Sequence, residues 1–333
     1  MKNKSIIFTK RPKDFPTNEN FSVQDDIVPV LNDNQILLKT VYVSVDPYLR
    51  GRMNNVKSYI PPFEIGEPMK SAIVAEVIES KNKNYSVGSH LYGMLDWKIF
   101  QVSDGTGLFP IPKDLAPLSS YLGVLGVTGL TAYFGLLEIG KPKENETLLV
   151  SGAAGAVGIT VSQIGKIKGC RVVGIAGTDE KVDRLKNKFG LDAAINYKNN
   201  KNLLNELKTA CPNGVDVYFD NTGGMILGSA LFRLNSGGRI ACCGVVSQYD
   251  TSTPEPGPRG IPGLLVNKSI RMQGFLVFDF ADKYEEATND LIGWIDSGQL
   301  KVLTDELEGL EKAPQGFVDL LAGGNIGTRI VNI

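Results

Sequence analysis

TLLVSGAAGAVGITVSQIGKIKG, residues Thr147 to Gly169, decides the fold. A short apolar run, TLLVS, reads as a buried strand. Small residues follow, and then a helical pattern that begins near Ala156. In a dinucleotide-binding turn a first glycine makes the tight bend. A second lets a pyrophosphate approach the backbone, and a third lets the helix pack on the strand. Gly155 and Gly158 fill the second and third places, while Ala153 stands in the first. The helix start offers backbone N–H groups and the positive end of a dipole to an anion.

Working outward, strand and helix patterns alternate at short spacing. RVVGIAG, AAINY, VDVYFDN and RIACCGVV read as strands, and SIRMQGFLVF adds one more. TDEKVDRLKNKFG, NLLNELKTACP and MILGSALFRLNSG read as helices, and DKYEEATNDLIGWIDSG follows the last strand. Such alternation predicts parallel βαβ units in a doubly wound α/β sheet. TSTPEPGPRGIPG (Thr251–Gly263) reads as a long Pro/Gly-rich loop.

The second strand selects the cofactor. NAD-binding chains place an acid near its end to hold the ribose hydroxyls. Here Gly177 stands near that place, which leaves room for a 2′-phosphate. Thr178 can hydrogen-bond such a phosphate, and Lys181, one helical turn on, can pair with it. Asp179 and Glu180 argue the other way, although acids in a first helical turn also serve the dipole. The balance favours NADPH (or NADP) over NADH, with Lys181 as an ordinary solvated lysine the alternative.

Up to about Leu118 the chain has a different texture. QILLKTVYVSV and SAIVAEVIES alternate as strands, NYSVGSHLYGM reads as a turn feeding another, and prolines punctuate the whole. This predicts an irregular β-barrel. The tail returns to strand, helix, strand and completes that first domain. The expected boundaries are 1–122 with 301–333 for the substrate domain and 123–300 for the cofactor domain.

Composition narrows the function classes. The 333 residues are 42% hydrophobic, enough for two cores, and 35 basic residues balance 36 acidic ones. No strong field favours nucleic acid or an anionic membrane. The longest apolar stretch, Tyr121–Gly140, is broken by glycines and reads as a buried helix with its approach loop. A cytoplasmic protein is expected. Cys170, Cys211, Cys242 and Cys243 form no CxxC pattern, and His90 is the lone histidine. A zinc site built from three such ligands is not expected, so metal: none.

Taken in order, VSVDPYLRGRM, SYIPPFEIGEPM, LGVLGVTGLTAYFGLLEIG, SGAAGAVG, VYFDNTGG, CGVVSQYD, IRMQGFLVF and LEKAPQGFVDLLAGGNIGTRIV carry a resemblance over almost the whole chain. It resembles the zinc-independent medium-chain dehydrogenase/reductases, among them the NADPH-dependent 2-alkenal, prostaglandin and curcumin reductases, and is most like bacterial curcumin-reductase-like members. The resemblance implies a GroES-like β-barrel catalytic domain, a Rossmann domain and a homodimer. It implies that Gly155, Ala156, Val157 and Gly158 meet the pyrophosphate, and that Lys181 and Tyr197 meet the adenosine phosphate end. Asn221, the loop with Cys243, Gly244, Val245, Ser247 and Tyr249, the run Phe275, Leu276 and Val277, and Asn325 would line the rest. Two departures stand out. Thr128 replaces a proline common in the family. Asn267 stands where some animal and plant members carry a tyrosine proposed to act on substrate, so a mechanism through that tyrosine does not transfer.

The chemistry expected needs no metal. A conjugated enone accepts hydride at its β-carbon, and charge spreads to its oxygen. The protein must orient the partners, donate a hydrogen bond to that oxygen and let the α-carbon take a proton. Two tyrosines stand where the resembling family faces substrate. Tyr59, in a proline-bounded loop, is the first candidate donor, and Tyr48 the second. A tyrosine at a strand end is also commonly a packed residue. Arg50 and Arg52 could bind a phosphate or form ion pairs. The reading is reduction of the C=C bond of α,β-unsaturated ketones or aldehydes. The alternatives are a quinone reductase, a secondary-alcohol dehydrogenase, and a noncatalytic NADPH-binding regulator.

Overall fold

The computed structural model describes residues 2–112, 115–199, 202–249 and 257–333. Two compact units emerge. Among the described residues the first takes 2–122, Tyr249 and 304–333, and the second takes 123–248 and 257–303.

The first unit is built on strands β1 (Lys2–Phe8), β2 (Phe21–Ile27), β3 (Ile36–Ser44), β4 (Lys70–Ser80), β5 (His90–Asp96), β6 (Phe100–Ser103) and β7 (Leu108–Pro110). A short helical turn, α1 (Leu49–Arg52), follows β3. β1 and β2 pair antiparallel. The other five strands are antiparallel to their neighbours in one sheet. The pairing path, as described, runs open from end to end and does not close on itself. This mixed sheet fits a GroES-like domain. Its core gathers Ile36, Leu38, Val43, Ala75, Val77 and Trp97. The buried Trp97 Nε1 donates to Ser71 Oγ at 2.7 Å, and Ser71 in turn donates to the Ser44 carbonyl at 2.7 Å. Thus the widest core ring leaves no polar atom stranded.

The second unit opens with helix α2 (Val127–Phe134), continued by a π-helical turn over Gly135–Gly140. Strands β8 (Thr147–Ser151), β9 (Arg171–Ala176), β10 (Ala193–Asn196), β11 (Val215–Asp220), β12 (Leu234–Cys242) and β13 (Arg271–Gly274) form a six-stranded sheet. Its order is β10-β9-β8-β11-β12-β13, all parallel. Helices α3 (Ala156–Ile167), α4 (Asp179–Asn187), α5 (Leu203–Ala210), α6 (Gly224–Arg233), α7 (Ile261–Lys268) and α8 (Tyr284–Asp296) complete the unit. Every residue of β8 is buried, as a strand covered on both faces requires. α4 forms where Thr178 caps it, with Asp179 and Glu180 in its first turn and Arg184 and Lys186 in its last. The chain then returns to the first unit. β14 (Thr304–Glu308), α9 (Ala313–Leu321) and β15 (Thr328–Asn332) follow, and β15 joins the edge of β3.

Two local expectations change. Residues 251–256 of the expected Pro/Gly loop lie outside the described residues, and its last three residues, from Ile261, open α7. Pro262 sits in the first turn, where a fixed φ favours the helix and no N–H is needed. The expected helix after VYFDNTGG stops at Arg233. Leu234 already pairs with Val215, because β12 begins there. Among the described residues no helix is long and apolar enough to cross a membrane.

Candidate functional site

In the second unit the strand order reverses direction at β8, whose neighbours are β9 on one side and β11 on the other. Ligands of such sheets bind beyond the carboxyl ends of the strands at this switch point. The small-residue loop follows β8 there. Gly152 takes φ +57°, a left-handed conformation that glycine accepts without cost, and its carbonyl accepts the Gly155 N–H at 3.0 Å. The tight bend therefore belongs to Gly152, one residue before the place the fingerprint assigns. Ala153 instead donates its N–H to the Ile175 carbonyl at 3.0 Å, extending the contact with β9. A β-carbon on Gly158 would lie 2.2 Å from the Gly152 carbonyl oxygen and 2.8 Å from Ala153 Cα, so only glycine fits. No side chain caps α3, leaving the first-turn amides of Ala156, Val157 and Gly158 to face an anion. The cradle fits a pyrophosphate.

Across the switch point, β11 ends on Asp220, which sequence reasoning passed over. It is buried, and its Oδ1 accepts from Tyr218 Oη (2.7 Å), Gly223 N (2.8 Å), Thr222 N (3.0 Å) and Ser151 Oγ (3.2 Å). Asn221 Nδ2 donates to the Ser151 carbonyl at 2.7 Å, tying the end of β11 to the end of β8. The loop after β12 is bound to the same turn. Cys243 and Gly244 donate their N–H groups to the Asp220 carbonyl, Val246 N to the Asn221 carbonyl, and Ser247 Oγ to the Thr222 carbonyl at 2.5 Å. A β-carbon on Gly223 would come within 3.1 Å of Val245 Cγ2. Asn221, Cys243, Gly244, Val245 and Ser247 thus form one hydrogen-bonded rim. The signal for Asp220 was an acid ahead of an Asn-Thr-Gly-Gly turn.

At the end of β9, Thr178 Oγ1 accepts the Lys181 N–H at 3.2 Å and keeps its own hydrogen to donate. Asp179 accepts from Asn196 Nδ2 (2.7 Å) and from Asn199 Nδ2 on both oxygens (3.0 and 2.9 Å). Glu180 pairs with Arg184 at 2.9 Å. Both acids that argued for NADH are engaged with other side chains. Tyr197 stands beside Gly177, its Cε1 3.4 Å from where a β-carbon would sit, and Lys198 lies closer still. Further along, Phe275 packs edge-on to Phe219, and its ring crowds Gly135. Leu276 N donates to Asp279 at 3.2 Å, and the Val277 carbonyl accepts from Tyr284 Oη at 3.1 Å. Within the first unit, Asn325 Nδ2 donates to the Gly327 carbonyl at 2.9 Å, and half-buried Tyr249 borders residues outside the described set.

The first unit carries the two tyrosines. Tyr48 is partly buried against the core, while Tyr59 is 56% exposed. The loop bearing Tyr59 is clamped at its neck. Arg11 donates to the Met53 and Phe63 carbonyls at 2.9 Å each, and Arg52 to the Pro61 carbonyl at 3.0 Å. Arg52 also lies 4.0 Å over the Phe63 ring and donates to the Lys70 carbonyl. Arg50, buried, donates to Asn54 Oδ1 and the Asp14 carbonyl at 2.8 Å. Both arginines serve this loop's architecture. Burial, reinforced by Asp46, holds the Tyr48 phenol well above 10, so it is neutral and able to donate near pH 7; Arg52 works against the rise, and Tyr92 and Tyr59 add to it. Sequence reasoning did not single out Asp46 or Tyr92.

Asp46 makes a pH prediction. Burial pushes its carboxyl up to about 6, against a 2.5 Å hydrogen bond from Ser44. A carboxyl with a raised folded-state pKa binds its proton more tightly in the native protein. The associated stability is fully present below about pH 4 and is lost as pH rises through about 6. The shift corresponds to on the order of 3 kcal/mol. Urea titrations of wild type and Asp46→Asn should therefore diverge between about pH 4 and 7, the wild type losing stability relative to the variant. Parallel pH profiles would refute the assignment.

Comparison with known proteins bears on both units. Residues 4–111 match a family described as N-terminal domain of oxidoreductase, and residues 156–294 one described as zinc-binding dehydrogenase. A putative NADP-dependent oxidoreductase, YfmJ of Bacillus subtilis (strain 168), is 46% identical over 98% of this chain and 97% of its own. The NADPH-dependent curcumin reductase of Escherichia coli (strain K12) is 39% identical over 100% and 97%. The crystal structure of CurA from Vibrio vulnificus in complex with NADPH superposes with a TM-score of 0.94, at 40% identity, over 99% and 98%.

The chain belongs to the 2-alkenal, prostaglandin and curcumin reductase family of the medium-chain dehydrogenase/reductases.

Membership in this reductase family makes the departures informative. Where the family commonly has proline, Thr128 Oγ1 donates to the Gly123 carbonyl at 2.9 Å, so the hydroxyl ties down the turn before α2. The second family description names zinc. Among the described residues, however, no three His, Cys, Asp or Glu side chains gather as a zinc site requires. The residues do not fit that metal. Burial pushes the thiols of Cys170, Cys211 and Cys242 up to about 11 and that of Cys243 to about 12, so all four are protonated at neutral pH.

Proposed function

We propose that this protein reduces the C=C bond of α,β-unsaturated ketones or aldehydes with NADPH, without a metal. The observation that carries the reading is the Gly152–Gly158 cradle, paired with a second strand that is followed by Gly177 in place of a carboxylate. Relatives named curcumin, prostaglandin and 2-alkenal reductase over nearly the full chain support the substrate class. Ala156, Val157 and Gly158 would hold the pyrophosphate, Thr178, Lys181 and Tyr197 the adenosine phosphate end, and the rim from Asn221 to Ser247 the remainder. Phe275, Leu276, Val277, Tyr249 and Asn325 are proposed as further lining. When bound, NADPH supplies the hydride that reaches the β-carbon. The chain orients the acceptor, donates a hydrogen bond to the oxygen that gains charge, and admits the proton that completes the α-carbon. Tyr59 is the proposed donor, with Tyr48 lining the pocket. The proposed substrate domain is 1–122 with 301–333, and the cofactor domain 123–300.

NADPH consumption measured across enones, quinones and secondary alcohols tests the reading. One NADPH should be oxidised per enone reduced. Turnover of quinones or alcohols with enones inert would overturn it in favour of those reactions, and inertness toward all would leave an NADPH-binding regulator. We place the protein in the cytoplasm and assign it a homodimeric state. Among the described residues β13 ends the six-stranded sheet and leaves an edge to pair, and Val266 of α7, which precedes it, is 78% exposed. Light scattering should give twice 36.1 kDa; a mass of 36.1 kDa would rule the dimer out.

A further inference from the structure

We propose that Lys198 is a second cation for the cofactor's 2′-phosphate, and that Asp179 is the anchor that places it. The proposal rests on the NADPH reading of this same site.

Gly177 follows the last residue of β9. Dinucleotide-binding chains selective for NAD put a carboxylate near this place, toward the ribose. A β-carbon there would meet Lys198 Cε at 3.3 Å and Cδ at 3.7 Å. The aliphatic chain of Lys198 therefore crosses the position a selecting acid would leave from. Its ammonium lies one bond beyond Cε. A side chain of opposite charge occupies the ground of the missing carboxylate.

The turn that carries Lys198 is held in this position. Lys198 N donates to Asn196 Oδ1 at 3.1 Å, and Asn196 is buried. Asn196 Nδ2 and Asn199 Nδ2, on either side of Lys198, both donate to the Asp179 carboxylate at the first position of α4. Both oxygens of Asp179 are engaged by the turn. In sequence Asp179 reads as an acid turned against a 2′-phosphate. In the fold it is the fixed point that brings a cation to that phosphate. Thr178, the residue after Gly177 and the cap of α4, has a hydrogen left to donate. An exposed lysine beside a neutral group contributes little. Beside a phosphate dianion it forms a charge-assisted hydrogen bond.

Calorimetric dissociation constants for NADPH and NADH test both parts. Lys198→Ala should weaken NADPH about 10-fold and leave NADH within about twofold, and Lys198→Arg should restore most of the loss. Asp179→Ala should also weaken NADPH, and should add little when combined with Lys198→Ala. A ribose-facing acid has the opposite sign: Asp179→Ala would then weaken NADH and tighten NADPH, which overturns the anchor role. Lys198→Ala that spares NADPH, or weakens both cofactors alike, overturns the phosphate role. Lys198 is exposed, so its variants leave the fold intact and decide that point even if Asp179→Ala loosens the turn. Wild type that binds NADH as tightly as NADPH would sink the cofactor reading itself.

Discussion

Gly158→Ala is expected to weaken NADPH binding by about 100-fold or more and to lower thermal stability. The added carbon would stand 2.2 Å from the Gly152 carbonyl oxygen and 2.8 Å from Ala153 Cα. Both are backbone atoms, so no rotamer change relieves the overlap. The first turn of α3 must move away from the loop, and its amides move with it. Nor can the helix retreat freely. Gly165, two turns on, is packed so closely that a β-carbon there would meet Leu148 Cδ2 at 2.4 Å. Gly155→Ala makes the instructive contrast. Its added carbon would find only the Gly152 oxygen, at 3.4 Å, an ordinary contact. The fold should hold its melting temperature while NADPH binding falls, because the methyl group would occupy the path of the phosphate. Melting curves and NADPH titrations on the two variants separate a packing glycine from a ligand-approach glycine. Gly158→Ala with wild-type affinity would remove the cradle from the site.

Tyr59→Phe carries the second large effect. Loss of a hydroxyl that donates to the developing enolate should lower kcat about 100-fold. NADPH affinity should stay unchanged, since the tyrosine is assigned to substrate alone. Tyr48→Phe should cost less, as befits a residue half-embedded in the core of the first unit. Single-turnover rates with a saturating enone, measured beside NADPH titrations, distinguish the two. Unchanged turnover in Tyr59→Phe would sink its role. A larger loss in Tyr48→Phe would transfer the role to Tyr48, whose phenol burial keeps neutral at the pH of the reaction.

The alternation of the second unit was legible because each strand and helix announces itself over a few residues. TLLVS is buried throughout, and Thr178 caps α4 as its position before an acidic first turn suggests. Gly158 could be named from spacing, since its constraint comes from residues within six positions. Gly152 was harder, because the fingerprint counts from the wrong alanine, and only the φ of +57° reveals which residue bends. The opening of α7 at Ile261 lay hidden in a run of prolines and glycines that resembles loop.

Other misses have a single cause. Asp220 gathers Tyr218, Ser151 and the amides of Thr222 and Gly223, yet in sequence it is one acid among 36. Asp46 owes its raised pKa to the core that closes over it, which no neighbour in the chain discloses.

By itself, the sequence determined what depends on near neighbours: the parallel α/β unit, the β-rich unit before it, the glycine cradle and the absence of an acid at Gly177. These follow from periodicity, turn chemistry and residue size, which act over a few positions. Only the tertiary structure decided how distant segments use one another. Asn221 donates to Ser151, 70 residues away, and Asp179 is claimed by Asn199, 20 residues on. Strand order and register set those meetings, and with them whether the Asp179 carboxylate stands free or holds the turn that carries Lys198.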